Sequence, residues 1–503
     1  MSKQVHSGKE AMSKVLIGLN KCADTVGSTL GPCGKNIFID GGIPKITNDG
    51  ATIANEIVLE DKLENAGSYT VRNVSAQTND DAGDGTTTTS VLFQSIVNES
   101  LKRPENAMAI KSSLKEAGNK ILKILAKKSV KIDKNDIEKV AFISAENKEL
   151  AKLISQIIDK LGDKAVINVE DSRTFFTEYE IVEGYEANVG FMSSDFITDK
   201  RQSKAVYSDI PVLCSEKKIS NISDISPIFE MFKKENIGSC VIVCDDIDDG
   251  LLGMFVANNK MGTFKTIIIK ASSLLLEDIA GTVGSTIISN STGVSFHNFD
   301  KVHLGYAKKV ISDANKTLFI GDGVASKVYA KDLEARANGE PNMYTARNMH
   351  QRVAKLKGGI AQLKIGASTD FEREYLKDKA VDAVKAVQSA LEEGIVEGGG
   401  MTLWKIASEM KPKTVGEEIL KKALTSPLRK IIENAGKDYA EIIRNLPKDM
   451  GYDAKNDKYV DMIKAGIIDP SKVERCALEN SVSSASTFIT TESFITDYVK
   501  ENE

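Results

Sequence analysis

The sequence predicts a multidomain chain: a helical first part, an α/β middle and a helical last part. Three observations carry this. Near the start, Met12, Val15, Leu16, Leu19, Ala23 and Val26 recur at three-to-four spacing, as on the apolar face of a helix. From about residue 163 to 320, short β-rich runs alternate with helical ones, the pattern of an α/β layer. After about 323, long charged helical stretches return. With 503 residues, 41% of them hydrophobic, the chain has length for two to four domains and enough apolar matter to fill their cores.

The elements follow in order. "GPCG" stops the first helix. "NIFID", "GGIP" and "KITND" read as strand, turn and strand, and helical patterns then run to about 128. In the middle, "VYSDIPVLCS", "SCVIVCD" and "FKTIIIKA" are strand-like, while "SDISPIFEMFKK" and "DDGLLGMFVANNK" are helix-like. "STDFEREYLKDKAVDAVKAVQSALEEG" reads as one helix ended by Gly394, and "VGEEILKKALTSPLRKIIENAG" as another ended by Gly436. There is no internal repeat and no low-complexity segment.

Charge is plentiful but balanced, with a formal net of -5, which gives no electrostatic basis for binding nucleic acid or an anionic membrane. Six scattered cysteines include no CxxC pair. Cys240 and Cys244 share one face of an apparent buried strand and read as small core hydrophobes. The four histidines show no ligand spacing. "MSKQVHSGKE" has neither an apolar signal region nor an Arg-rich transit pattern, and "TIIIKASSLLLEDIAG" is broken by charge. The expectation is a cytoplasmic protein in a reducing compartment, with neither nucleic acid nor membrane as partner.

No GxxxxGK[ST] loop, no GxGxxG after a strand and no GxSxG elbow occurs. Four other segments share one physical theme. In "STLGPCGKN", Gly31 and Gly34 let backbone approach a ligand. In "ITNDGA", Asp49 precedes Gly50 at a strand end. In "NDDAGDGTTTTS", the threonines open a helix whose apolar face includes Val91, Leu92, Ile96 and Val97. Free N–H groups and the positive dipole end favour phosphate there. Asp84 beside phosphate would repel it unless a cation bridged them, which implies Mg²⁺. In "EEGIVEGGGMTL", three glycines open a helix. Taken singly, each segment also reads as an ordinary turn or helix cap; the signal is their combination.

These segments, with "ITNDGATIANEIVLEDKLENAG", "ISAENKEL", "RVAKLKGGIAQLKIGAST" and "GIIDPSKVERCALENS…ITTE", resemble the group I chaperonins, the GroEL-like sixty-kilodalton family, in order over essentially the whole chain. The resemblance implies an ATPase that folds proteins, with a helical equatorial domain (1–127 and 393–503), an intermediate hinge domain (128–182 and 361–392) and an α/β apical domain (183–360). It implies ATP and Mg²⁺ as cofactors and admits K⁺. Thr29, Leu30, Gly31 and Pro32 would line the nucleotide pocket, while Asp84, Gly85, Thr86, Thr87 and Thr88 would hold the phosphates and Mg²⁺, with Asp84 on the metal. Ile143 and Ser144 would join from the intermediate segment, and Gly399, Ala454, Ile467 and Asp469 would contact base and ribose. Asp49 would sit beside the terminal phosphate and Asp382 would orient the attacking water. Read alone, Asp382 is one more charge on a helix face. Gly184, Gly359 and Gly394 match hinge positions.

The resemblance also implies homo-oligomeric seven-membered rings, single or double, unfolded polypeptides as clients, and room for a lid-like co-chaperonin. Clients would meet Phe191, Phe196, Ile225, Phe229, Leu252 and Val256. This chain departs from the family pattern in several places. Asn48 replaces a lysine, Asp453 an asparagine and Val189 an arginine, and the region after Ala271 is shorter. Asp195, Ser226 and Ala257 make the apical surface more polar. Such divergence suits a specialised copy. It also keeps open an alternative function, a structural or holding ring scaffold with weak nucleotide dependence.

Overall fold

A computed structural model describes residues 3–40, 45–163, 165–172, 174–200 and 202–497. The chain divides into two compact units. The first comprises 1–159, 171–177 and 365–503, and the second 160–170 and 178–364.

The first unit is mainly helical. Its leading helix, Gly8–Gly27, buries Val15, Leu19, Ala23 and Val26 of the stripe read from the sequence, together with Cys22. It packs on Lys62–Ala82 and Thr86–Leu101, and the C-terminal helix Ser471–Phe488 closes the group. The strands Ile37–Ile39 and Lys45–Thr47 pair antiparallel as expected; the "GGIP" turn between them lies outside the described residues. Asp370–Glu393 forms one helix that stops at Gly394. The segment read as a single helix from 415 to 436 is instead two, Val415–Ala423 and Ser426–Asn434. Pro427, in the first turn of the second, explains the break: proline has no N–H to bond backward and its ring clashes with the preceding turn.

The second unit is built on an eight-stranded mixed sheet. Ala205–Ser215, Ser239–Cys244 and Lys265–Lys270 run parallel. The helices Ile222–Lys234 and Asp249–Met261 provide the crossovers that parallel neighbours require. Ala205–Ser215 then pairs antiparallel with Gly305–Ser312, which leads through Thr317–Ile320 to Glu178–Ala187, Gly359–Ile365 and Val166–Asp171. Cys240 to Cys244 are all buried, as in a strand covered on both faces. Cys240 and Cys244 are free core residues, as read. Gly184 and Gly359 lie within this sheet.

Candidate functional site

The site lies in the first unit, where the four glycine and aspartate segments meet. Lys62–Ala82 ends at Gly83, so Asn79 to Ala82 belong to its last turn. The next helix starts at Thr86, and its cap is Gly85 at φ 90 rather than a threonine. This left-handed backbone is one that glycine adopts freely. No side chain caps the Thr86 helix, so its first N–H groups stay free for a ligand. Thr89 and Ser90 turn their hydroxyls back to Gly85 and Thr86 carbonyls. Thr86 and Thr87 face Gly50, where an added Cβ would come within 2.4 Å of the Thr87 Oγ1 and 2.7 Å of the Thr86 Oγ1. The threonine hydroxyls and the Asp49–Gly50 turn therefore wall one recess.

Asp49 caps Gly50–Glu56, accepting from the Ala51 N–H at 3.3 Å and the Thr52 N–H at 2.7 Å. Asp84 accepts from the Gly85 N–H at 2.5 Å and from the Ser144 Oγ at 3.5 Å. Burial, with Asp49 adding repulsion, pushes the Asp84 carboxyl above the ordinary carboxylate value against the pull of the Gly85 N–H and Lys379. Asp382, on the Asp370 helix, is pushed up further by burial and by Asp84 and Asp49. The motif residues that were far apart in sequence are thus electrostatic neighbours. Both keep some contact with solvent, so they line the wall of a recess rather than a sealed core.

A second group forms the neighbouring wall. The strands Ile395–Glu397 and Ile468–Pro470 pair, setting Gly399 beside Asp469, whose Oδ2 accepts from the Gly399 N–H at 3.0 Å. Leu30 and Ile467 pack on an apolar cluster that contains Ala454, Met401 and Met462. The Cys33 Sγ donates to the Ala454 carbonyl at 3.5 Å, tying the "GPCG" loop to this wall. Thr29 is buried and Gly31 has φ 84. Gly31, Pro32 and Ile143, the last on Lys134–Ala145, are the exposed members of the expected set.

Two residues escaped the sequence reading, Glu474 and Lys379. Glu474, on the Ser471 helix, is 4% exposed and its Oε2 has no hydrogen-bond partner. Burial, with Asp469 and Asp84 adding repulsion, pushes its carboxyl up to about 8; those two lie near in space and nothing in the local sequence marks it. Burial, with Asp84, likewise pushes Asp469 up to about 6. Lys379 is an inward cation, its side chain only 14% exposed. The Oδ1 of Asn48, beside Asp49, is buried without a partner.

The acids fit a cation that arrives with phosphate. Among the described residues, no group of three or more His, Cys, Asp and Glu could hold a metal ion unaided. Mg²⁺ suits a site offering one or two carboxylates with phosphate completing its shell. Asp84, next to the uncapped start of the Thr86 helix, is a carboxylate of that kind.

The client residues fare differently. Phe196 and Ile225 are fully buried in the core of the second unit, which corrects their assignment to an exposed surface. Phe196 sits in the one-turn segment Ser194–Phe196 and Ile225 on the inner face of its helix, where burial of a large apolar group is strongly favoured. Phe191, Phe229, Leu252 and Val256 are partly buried and pack against that core. Asp195 pairs with Lys260 at 2.8 Å.

No helix among the described residues is long and apolar enough to cross a membrane. The family model of the TCP-1/cpn60 chaperonin family matches residues 22–498. Two crystal forms of the chaperonin gp146 from the bacteriophage EL 2 (Pseudomonas aeruginosa), solved in the presence of ATP-BeFx, are similar to this chain at 18% identity, covering 98% of this chain and 99% of that one. Their TM-scores are 0.71 and 0.66, a likeness of fold. The family model, matching nearly the whole chain, shows that the chain belongs to the TCP-1/cpn60 chaperonin family.

Proposed function

We propose that the chain is a group I, GroEL-like chaperonin subunit that binds ATP in its first unit and couples hydrolysis to the folding of non-native polypeptides. The observation that carries this is the convergence of Asp49, Asp84 and Asp382 on the uncapped start of the Thr86 helix. A like-charged cluster at a phosphate-binding helix end makes sense when cation and phosphate arrive together. Phosphoryl transfer asks a protein mainly to position groups and offset charge. Thr86, Thr87 and the free N–H groups of that helix would hold phosphate oxygens. Leu30, Ala454, Ile467 and Gly399 would enclose the base, and Asp469 would take the ribose. Asp382 would orient water and accept its proton, a role its raised pKa suits. Bound Mg²⁺ would supply charge neutralisation at the phosphates, with Asp84 holding it; K⁺ remains a candidate second ion. The ATP-BeFx present with the phage chaperonin supports the nucleotide reading.

The three-part division (1–127 with 393–503, 128–182 with 361–392, and 183–360), the seven-membered rings and a co-chaperonin lid belong to the same proposal. ATP-dependent refolding of an aggregating client, with rings checked by negative-stain images, tests it. Intact rings that refold nothing would refute it. A second reading, a structural or holding ring scaffold with weak nucleotide dependence, is favoured by the orphaned Asn48 Oδ1. Robust steady-state ATPase activity would count against it.

A further inference from the structure

The acid-rich recess has a charge problem that its acids cannot solve. A triphosphate carries about four negative charges, and one divalent ion offsets only half of them. The inward cation Lys379 lies on the Asp370 helix, three residues before Asp382 and therefore on the same face. Its charge bears on both Asp382 and Asp84. Its ammonium pairs with the Glu146 Oε1 at 2.8 Å. Glu146 is 55% exposed at its side chain, two residues after Ser144, and has a left-handed backbone, φ 53. Glu146 is exposed, so water can solvate its carboxylate once the ammonium leaves, and phosphate oxygens can take over as the partner of the buried lysine. A lysine stem can swing its charge between partners without losing it.

Resting on the ATP-site reading above, we propose that Lys379 is a phosphate-contacting residue: on nucleotide binding its ammonium leaves Glu146 for the terminal phosphate, beside the water held by Asp382. Glu146 thereby acts as the holding partner of the empty state. Burial works against the charge of Lys379, but Glu146 outweighs it and keeps the ammonium protonated.

The test is binding of a non-hydrolysable ATP analogue and of ADP, both with Mg²⁺, to the full chain and to Lys379→Met, Lys379→Arg and Glu146→Gln. Thermal melts establish that each variant is folded, and Lys379→Gln replaces the methionine variant if that one is not. Lys379→Met is expected to weaken the triphosphate analogue at least tenfold while leaving ADP within threefold. Arginine should restore most of the difference, and Glu146→Gln should bind the analogue as well as the parent or better. Equal loss for both nucleotides, or a Glu146→Gln variant that falls as far as Lys379→Met, would overturn the proposal and make the lysine a strut. A parent chain that binds neither nucleotide refutes the underlying site reading, and this inference falls with it. A parent that binds both, with an unselective Lys379→Met, refutes this inference alone.

Discussion

Asp278 in the second unit and Asp84 in the first are both acids held among protein groups, and their surroundings are opposite. Asp278 is 3% exposed and fully provided for. Arg352 donates to it from Nε at 3.0 and 3.1 Å and from Nη2 at 2.8 Å, and Tyr185 and Tyr329 donate at 3.2 Å each. Asp84 has one N–H, one long hydroxyl contact and several like-charged neighbours. A buried acid with a complete donor set holds a fold together. Acids gathered without one raise each other's pKa and leave the balance to a ligand. Asp278 thus serves the fold of the second unit, whereas Asp84, on the function proposed above, serves binding in the first.

Breaking the complete set should have the largest effect. Asp278→Ala leaves the Arg352 guanidinium without its main partner and should cost about 3–5 kcal/mol of stability, read from denaturant melts, with nucleotide affinity unchanged. Asp382→Ala should do the reverse. Turnover should fall about a hundredfold or more with nucleotide binding retained, in a steady-state assay paired with a binding titration. Unchanged turnover would remove Asp382 from the reaction. Gly50→Ala places a methyl against the Thr86 and Thr87 hydroxyls and should cost about 1–3 kcal/mol, divided between stability and nucleotide affinity.

The smallest effect sharpens the contrast through pH. Glu474, pushed up to about 8 when folded from an ordinary 4.5, keeps a proton that the unfolded chain has lost. Between those values the folded state binds more protons, so this contribution to stability is full below about 4.5 and is lost as pH rises toward 8. Nucleotide-free Glu474→Gln should therefore melt a few degrees above the parent at pH 8 and nearly with it at pH 5. A constant difference across that range would place Glu474 outside the acid cluster.

How much of this was legible in the sequence follows from how far each feature reaches along the chain. The stripe Met12, Val15, Leu16, Leu19, Ala23 and Val26 is local, and it gave the first helix. So did Gly394 for the end of the Asp370 helix. The break at Pro427 was local too, but the apolar spacing continues across it and hid the stop. The mixed sheet order was out of reach, because strand neighbours such as Glu178–Ala187 and Gly359–Ile365 are far apart in sequence. In the site, Asp49, Asp84 and the threonines carry a readable motif. Asp382 sits in an ordinary helical pattern, and only the family resemblance singled it out. Lys379, Glu474 and the Arg352–Asp278 network are tertiary facts, with no local signal to distinguish them from surface charge. Phe196 and Ile225 erred the other way, since apolar character alone does not separate a client surface from a core.

The central claim is that the acids of the first unit form a nucleotide site only in company with a cation. Equilibrium binding of a non-hydrolysable ATP analogue, with Mg²⁺ and then with excess chelator, tests it most directly. The account predicts binding with Mg²⁺ that weakens at least tenfold without it, as Asp49, Asp84 and Asp382 repel the bare triphosphate. Equal affinity under the two conditions would contradict it.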